Sequence, residues 1–432
     1  HLFAVLVSAI ACVLIGSFPL LTASMIAVAT VVLTGTLTPA QAFSGFANAS
    51  VLLVVIAFIV AQAVVKSGLG RRISLLMVSR FGGSPLGLAY SLVLTDAAIA
   101  PAFPSNTARG GVLFPIVLSI SKGAGSEPDS PEGRRLGGYL MFCAMAGLSV
   151  SSALWLTATS CNPIGVQIAQ QHGMEIGFAD WLIASSVPTL SAILILPLLV
   201  AKIFPPGIGA TPEAPLAARK DLAGMGAMSR DEWITLVTFA VMVAGWVAGS
   251  ALQINGTAVA FMGFGVLLVS GVLTLEDISK QGDTLTTFLW LAILFALSAQ
   301  LNELGFMGYV GERLATRMGG LDWPVLYVAL VALYVVLHYF FVSQTSQMLA
   351  LLAVFLDVGI RGGVPAALMA PGLLFASSYF SVITPQGGSQ NIIFVASGYL
   401  KQGELYRMGL ITTITFMTIY LVRHGQAAAG SE

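Results

Sequence analysis

The sequence predicts an all-α polytopic membrane protein whose two halves are inverted copies of one another. Only 9% of the 432 residues are charged and 57% are hydrophobic, whereas a soluble domain carries about 25% charged residues. The apolar runs are continuous over the length of a membrane helix and do not alternate as the strands of a membrane β-barrel do. A polar motif also recurs in the second half of the chain. These observations exclude an ordinary soluble enzyme.

The ionisable residues exclude further classes. The 19 basic and 19 acidic residues give a net charge of zero, which removes the electrostatic basis for nucleic-acid binding. The three cysteines form no C-x-x-C pair and the four histidines are scattered, so we expect free thiols and no metal site or cofactor beyond sodium ions. A membrane-embedded enzyme is not expected, because no H-E-x-x-H motif is present and no candidate catalytic pair explains the recurring motif.

Ten apolar segments are predicted to cross the membrane, and two more to enter and return on the same side. The latter are re-entrant helical hairpins at 83–121 and 323–360, each with a polar cluster near its middle. Irregular backbone at that depth persists only where it lines a cavity or is buried in protein. Two crossing segments, 137–170 and 365–395, are broken by polar residues. The other crossing segments are 2–17, 19–36, 49–65, 182–201, 233–250, 257–273, 285–302 and 408–423.

The basic residues set the predicted orientation. If the loop after residue 65 is cytoplasmic, fourteen of the 19 Lys and Arg residues lie inside, four lie outside, and Arg109 is left within the first hairpin. This distribution follows the positive-inside rule. His1 then lies outside, and we expect one N-terminal span to precede the sequence.

The repeat is visible as two pairs of matching segments. A shift of 237 residues aligns R-x-G-G at 80–83 with the same pattern at 317–320, and a shift of 238 aligns Ser-Asn-Thr at 105–107 with Ser-Gln-Thr at 343–345. Five predicted crossings separate the copies, and an odd number places them on opposite faces of the membrane. The two copies are therefore inverted.

This pattern predicts a first repeat at 1–203, a cytoplasmic linker at 204–232 and an inverted second repeat at 233–432. Inverted repeats with discontinuous helices are typical of secondary transporters, which bind substrate near the midplane. Hydroxyls, amides and freed carbonyls at the hairpin tips and helix breaks could bind a cation, and helix N-termini could bind a carboxylate. Two alternatives are that these residues only join helices by hydrogen bonds, and that the hairpins form a channel filter.

The motifs resemble those of the divalent-anion:sodium symporter (DASS) family, over nearly the whole chain. The similarity is greatest to the branch of 2-oxoglutarate/malate translocators and citrate and tartrate exchangers. It implies an elevator-type transporter of di- or tricarboxylates, usually a homodimer, in the bacterial plasma (inner) membrane. We expect an anion exchanger, with a sodium-coupled dicarboxylate symporter as the alternative. The matching segments are 104–111 (PSNTARGG), 338–345 (HYFFVSQT), 45–46, 66–72 and 384–385.

The resemblance also implies which residues form the site. One cation site would use Ser105, Asn106 and the carbonyl of Ala158, and its mirror image Ser343, Gln344 and Thr384. Gln344 stands where the family has Asn, and its extra methylene could resize the second site. The residues implied for substrate binding are Ser105, Asn106, Thr107, Thr159, Ser343, Gln344, Thr345 and Pro385.

Two ionisable residues inside the hairpins have alternative interpretations. An unpaired arginine in a membrane helix costs about 2.5–3.5 kcal/mol on insertion scales, so Arg109 is a functional candidate. It could supply a fixed positive charge that replaces a sodium ion, or it could pair with Asp96 or extend into an aqueous vestibule. His338 could bind substrate or sense its protonation, or it could be packed and hydrogen-bonded.

Overall fold

The computed structural model describes residues 1–429 except 131–132, 307, 311, 314–321 and 342. Over the described residues all regular elements are helical, and seven helices are long and apolar enough to cross a membrane. The predicted all-α membrane fold is therefore confirmed. The α-helices are α1 Leu2–Leu14, α2 Leu20–Leu33, α3 Pro39–Ala42, α4 Ala49–Ser67, α5 Leu69–Phe81, α6 Pro85–Ile99, α7 Asn106–Gly123, α8 Arg134–Ser151, α9 Cys161–Gln170, α10 Phe178–Ile203, α11 Glu213–Met225, α12 Arg230–Leu252, α13 Gly256–Val269, α14 Leu275–Ser279, α15 Gly282–Glu303, α16 Trp323–Leu337, α17 Gln344–Arg361, α18 Ala366–Ala376, α19 Asn391–Val395 and α20 Gln402–Ala429.

The first re-entrant hairpin consists of α6 and α7. The Ser84 side chain caps α6 by accepting a hydrogen bond from the Gly87 amide at 3.1 Å, and Pro85 occupies the first helical position, where its missing N–H costs nothing. A 3₁₀ turn at Ala100–Ala102 ends the descending arm. Ser105 then caps α7 by accepting from the Ala108 amide at 3.3 Å.

The second hairpin, α16 and α17, repeats this construction. A 3₁₀ turn at His338–Phe340 ends the first arm, and Ser343 caps α17 by accepting from the Ser346 amide at 3.4 Å. Both hairpins lie within two residues of their predicted bounds, and the predicted hairpins are confirmed. The R-x-G-G match at Arg317, Gly319 and Gly320 lies outside the described residues.

Both predicted broken helices are present. The first break separates α8 from α9, and the Asn162 amide bridges it by donating to the carbonyls of Ser152 at 2.8 Å and Trp155 at 3.0 Å. These are carbonyls that an intact helix would have paired internally, and a side-chain donor satisfies them at membrane depth.

The second break has the same brace. The Asn391 amide donates to the carbonyls of Ser381 at 2.7 Å and Thr384 at 2.9 Å. Asn162 and Asn391 thus each reach back ten and seven residues along the chain. This shared geometry, which the sequence did not lead us to expect, relates the two breaks as equivalent elements.

The stretch predicted as a polar linker contains a helix. Within 204–232, α11 packs along α5, and Thr211 fixes its approach by donating to the Gly82 and Gly83 carbonyls. Arg72 on α5 also forms a buried ion pair of 2.5 Å with Glu232 at the start of α12. The linker is therefore a packed layer, and its role as the boundary between two repeats stays a prediction.

Candidate functional site

The two hairpin tips and the two helix breaks meet around a polar cavity of about 400 Å³. Seven of the residues predicted to form the site lie in its wall: Ser105, Asn106, Thr107, Thr159, Ser343, Gln344 and Thr345. The structure thus brings together residues that lie up to 240 positions apart in sequence. Side chains from α4 and α15 close the other side of the cavity.

Four predicted site residues do not line this cavity. Ala158 is fully buried, and its amide donates to the Trp155 carbonyl inside the first break. Thr384 and Pro385 lie within the second break, where Pro385 opens a 3₁₀ turn. Arg109 is buried between α6, α7 and α8.

Several residues of the wall were not predicted. Ser160 and Cys161 lie within the polar break predicted in segment 137–170, Ser389 directly follows the one predicted in 365–395, and these positions were the available signal. The wall residues that α4 and α15 contribute carried no sequence signal, because they lie in ordinary amphiphilic or apolar sequence. They are Phe58 and Gln62 of α4 and Asp283, Thr284, Thr287 and Trp290 of α15, with Gln281 just before it.

A larger cavity of about 880 Å³ lies between α5, α7 and α11. Its wall is mostly aliphatic, and no described residue of either hairpin tip contributes to it. The smaller cavity is the better candidate site because convergent polar groups, not volume, orient a ligand.

Three half-helices begin at the smaller cavity, α7 at Asn106, α9 at Cys161 and α17 at Gln344, and the crossing helix α15 also begins there at Gly282. The first amide groups of a helix have no intrahelical acceptor, and the aligned peptide dipoles place roughly half a positive charge at its N-terminus. Each of these ends therefore attracts an anion. The lining includes one acidic side chain, Asp283, and no Lys or Arg among the described residues.

Arg109 forms the centre of a buried charged network beside this cavity. Its guanidinium lies 2.7 Å from the Asp96 carboxylate, and both side chains are almost completely buried. It also donates to the Leu148 carbonyl at 3.1 Å and to the hydroxyls of Ser151 at 3.0 Å and Ser152 at 2.5 Å. Of the alternatives for Arg109, the structure has the pairing with Asp96.

The same guanidinium also forms a hydrogen bond with the side-chain oxygen of Asn106, a residue predicted to bind a cation. Arg109 Nη2 donates to Asn106 Oδ1 at 2.5 Å, and the Ser152 hydroxyl donates to that oxygen at 2.7 Å. A sodium ion at Asn106 Oδ1 would face a positive charge at hydrogen-bond distance, so the first predicted cation site does not fit sodium in this arrangement.

The second half has an uncharged network in the equivalent place. Gln347 donates through Nε2 to the Tyr334 carbonyl at 2.8 Å, and its Oε1 lies 2.7 Å from His338 Nδ1. The other ring nitrogen of His338 lies 2.6 Å from the Gly387 carbonyl, and the ring stacks on Phe380 at 3.9 Å. His338 is therefore packed and hydrogen-bonded, as one of its two interpretations expected.

The second predicted cation site has one oxygen suited to a ligand role. The Thr384 hydroxyl is buried and has no hydrogen-bond partner among the described residues. Gln344 instead points its amide nitrogen at the Ser377 carbonyl, 2.6 Å away. Sodium requires several oxygen ligands, so the Thr384 hydroxyl by itself supplies only part of such a site.

Comparisons with known proteins agree with this architecture. A family model described as "Sodium:sulfate symporter transmembrane region" matches residues 1–426. The putative malate transporter YflS of Bacillus subtilis is 36% identical over 98% of this chain and 89% of its own length. The citrate/succinate antiporter of Escherichia coli is 31% identical over 88% of this chain and 78% of its own length.

A solved structure supports the fold. The crystal structure of the YdaH transporter from Alcanivorax borkumensis superposes with a TM-score of 0.63 at 17% identity, covering 91% of this chain and 88% of that one. The family and these relatives are transporters, which confirms that the chain is a multi-pass membrane protein and not an enzyme. The chain belongs to the sodium:sulfate symporter (DASS) family of membrane transporters.

Proposed function

We propose that this transporter exchanges di- or tricarboxylate anions across the membrane by alternating access. Substrates of this class include 2-oxoglutarate, malate, succinate, citrate and tartrate. The observation that carries the proposal is the polar cavity at which three half-helix N-termini and two hairpin tips converge. The names of the Bacillus and Escherichia relatives support the same substrate class.

A carboxylate in this cavity would be held without a basic side chain. Hydroxyl groups of Thr107, Thr159 and Thr345 supply donors in the wall, and the helix N-termini supply backbone amides and a partial positive charge. Such a site stabilises an anion while leaving it free to dissociate, as a carrier requires. Asp283 on α15 adds a negative charge to the wall, which opposes very tight binding of a dianion.

An elevator motion requires the hairpins and broken helices to move as one block. Hydrogen bonds within this group support that proposal. Trp155 and Thr157 in the first break donate to the Ala97 and Pro101 carbonyls of the first hairpin at 2.9 Å each. In the second half, the hydroxyl of Tyr339 in the second hairpin donates to the carbonyl of Phe380 in the second break at 2.5 Å. We propose that this block slides against α4 and α15. We also propose that the chain works as a homodimer, as the family resemblance suggests. Cross-linking in native membranes would test the homodimer.

Arg109 supports exchange rather than sodium coupling. Its guanidinium already binds Asn106 Oδ1, the oxygen that a first sodium ion would need. Because this hydrogen-bond donor is part of the protein, loading of the first half of the site would require no ion gradient. Asp96 balances the charge of Arg109, so the group acts by its hydrogen bond and local position and adds no net charge.

Sodium-coupled symport is the second candidate. The observation in its favour is the Thr384 hydroxyl of the second predicted cation site, which is buried and has no partner in the part of the chain that the structure describes. One sodium ion bound at Thr384 and Ser343 would couple uptake to a single cation.

Counterflow in proteoliposomes separates the two candidates. Vesicles loaded with succinate, malate, citrate or sulfate would be diluted into radiolabelled succinate with sodium or with choline as the cation. We expect uptake that depends on an internal dicarboxylate or tricarboxylate and is equal in sodium and choline. Uptake abolished in choline would overturn the exchanger and favour the symporter, and sulfate as the sole effective counter-substrate would overturn the carboxylate assignment.

A further inference from the structure

Two hydroxyl contacts cross between the halves of the protein at the cavity. The Thr107 hydroxyl, at the tip of the first hairpin, donates to Ser389 Oγ in the second break at 2.5 Å. The Thr345 hydroxyl, at the tip of the second hairpin, lies 3.3 Å from Ser160 Oγ in the first break. We call these the 107–389 pair and the 160–345 pair. Each joins a hairpin tip of one half to the broken helix of the other.

The two serines occupy equivalent positions in the fold. Ser160 lies two residues before Asn162, and Ser389 lies two residues before Asn391. Each of these two asparagines donates to the backbone carbonyls ten and seven residues before it and so bridges its break in the same way. The threonines are equivalent too, since each is the second residue of the helix that follows a serine-capped tip. All four hydroxyls line the same cavity.

We propose that Ser160 and Ser389 are substrate-binding residues, and that each hydroxyl pair binds one carboxylate of a substrate that carries two. This inference rests on the proposed carboxylate transport and adds residues and a geometry to it. In a Thr–Ser pair, one hydroxyl group donates its proton to the oxygen of the other. When a carboxylate enters, both hydroxyls rotate to donate to it, so two charge-assisted hydrogen bonds replace one neutral bond.

The arrangement selects substrates by the number of their carboxylates. The 107–389 and 160–345 pairs are two separate donor groups related by the repeat, so an anion with one carboxylate fills only one of them. The unfilled pair keeps its internal hydrogen bond, and the ligand loses half of the available contacts. A dicarboxylate such as succinate should therefore bind far better than butyrate, which has the same carbon skeleton and a single carboxylate.

The pairs are similar but not identical. Cys161 places its sulfur 3.1 Å from the Thr345 hydroxyl, whereas the residue after Ser389 is Gln390, which donates to Ser149 away from the cavity. The thiol is a weak hydrogen-bonding group and competes little for the Thr345 hydroxyl. Removing either serine should therefore weaken dicarboxylate binding by a similar factor.

The test is equilibrium binding of radiolabelled succinate to the purified full-length protein, with exchange measured in parallel. We expect Ser160→Ala and Ser389→Ala each to raise the dissociation constant about tenfold and the double variant about a hundredfold, because charge-assisted hydrogen bonds contribute about this much each. Ser160→Thr and Ser389→Thr keep a hydroxyl and should retain more affinity than the alanine variants. Ser279→Ala, on exposed α14, is the matched control and should bind normally.

Three outcomes are decisive. Wild-type dissociation constants in both alanine variants, with thermal unfolding unchanged, would overturn the serine assignment while leaving carboxylate transport intact. Equal competition by butyrate and succinate would overturn the two-carboxylate geometry. A wild-type protein that neither binds nor exchanges any carboxylate of the panel would overturn the proposed function, and with it this inference.

Discussion

The two hairpins share a scaffold and differ in the chemistry buried beside it. Ser105 and Ser343 cap equivalent helices in the same way. Behind the first tip, however, Arg109 forms an ion pair with Asp96, whereas behind the second an uncharged Gln347 lies at the equivalent position. The two copies of the repeat thus share their backbone geometry and their capping hydrogen bonds, but they bury side chains of different charge.

The same contacts that hold each hairpin also position its tip. Arg109 reaches the side chain of Asn106, which lines the cavity. Gln347 reaches His338, whose second nitrogen contacts the Gly387 carbonyl of the second break. The first half therefore buries an ion pair beside its tip, whereas the second buries a hydrogen-bonded chain of Gln347, His338 and a backbone carbonyl.

The largest effect is expected from Arg109→Met. This change leaves the buried Asp96 carboxylate without a cation, which should lower the free energy of unfolding by about 3–5 kcal/mol. Chemical denaturation in detergent micelles would measure it. The double variant Asp96→Asn/Arg109→Gln imitates the uncharged second half and should recover most of the loss. Wild-type stability in Arg109→Met would mean that the pair is not energetically coupled.

A smaller effect is expected from Gln347→Met in the second hairpin. It removes the partners of the Tyr334 carbonyl and of His338 Nδ1, and buried neutral groups left unpaired cost about 1–3 kcal/mol. The same denaturation experiment compares it with Arg109→Met. A loss equal to or larger than that of the arginine variant would contradict the contrast between a charged and a neutral hairpin.

The two braced breaks should respond alike. Asn162→Leu and Asn391→Leu each remove a side chain that satisfies two buried carbonyls, and we expect each to cost about 1–2 kcal/mol and to slow succinate exchange. Thermal unfolding and proteoliposome exchange would show both effects. A loss confined to one of the two variants would show that the breaks are not equivalent.

The smallest effect is expected from an ion pair exposed to water. Lys66 lies 2.6 Å from Asp277, and this hydrogen bond lowers the pKa of the Asp277 carboxyl to about 2. Its contribution, under about 1 kcal/mol, is present above pH 4 and is lost as the pH falls through 2. The stability difference between wild type and Lys66→Ala should therefore shrink over that range. A constant difference would show that Lys66 acts through packing.

The sequence predicted the hairpins well because their signals are local. A serine cap and a polar tip in an apolar segment mark a turn whether or not tertiary contacts are known, as at Ser105 and Ser343. The cavity wall from α4 and α15 was not predictable, because Phe58 and Trp290 lie in continuous membrane helices. Their role depends on which face meets the hairpins, and hydrophobic pattern does not reveal this in a helix that is apolar all round.

The helix in the linker was missed for a similar reason. The sequence around α11 is polar and short of membrane length, so it was assigned only a connecting role. Its packing against α5 involves long-range contacts such as that of Arg71 with Asp221, which are 150 residues apart. Arg109 posed the opposite problem: the sequence identified it as unusual, but only the structure could choose Asp96 as its partner.

The asparagine braces have a consequence for affinity. Asn162 and Asn391 hold their breaks open through the protein's own hydrogen bonds, without the help of a substrate. The backbone around the cavity is thus preorganised, and an arriving anion need not supply the free energy to unwind or order it. Binding energy is then available for discrimination between ligands, and a weakly bound substrate can still be a specific one.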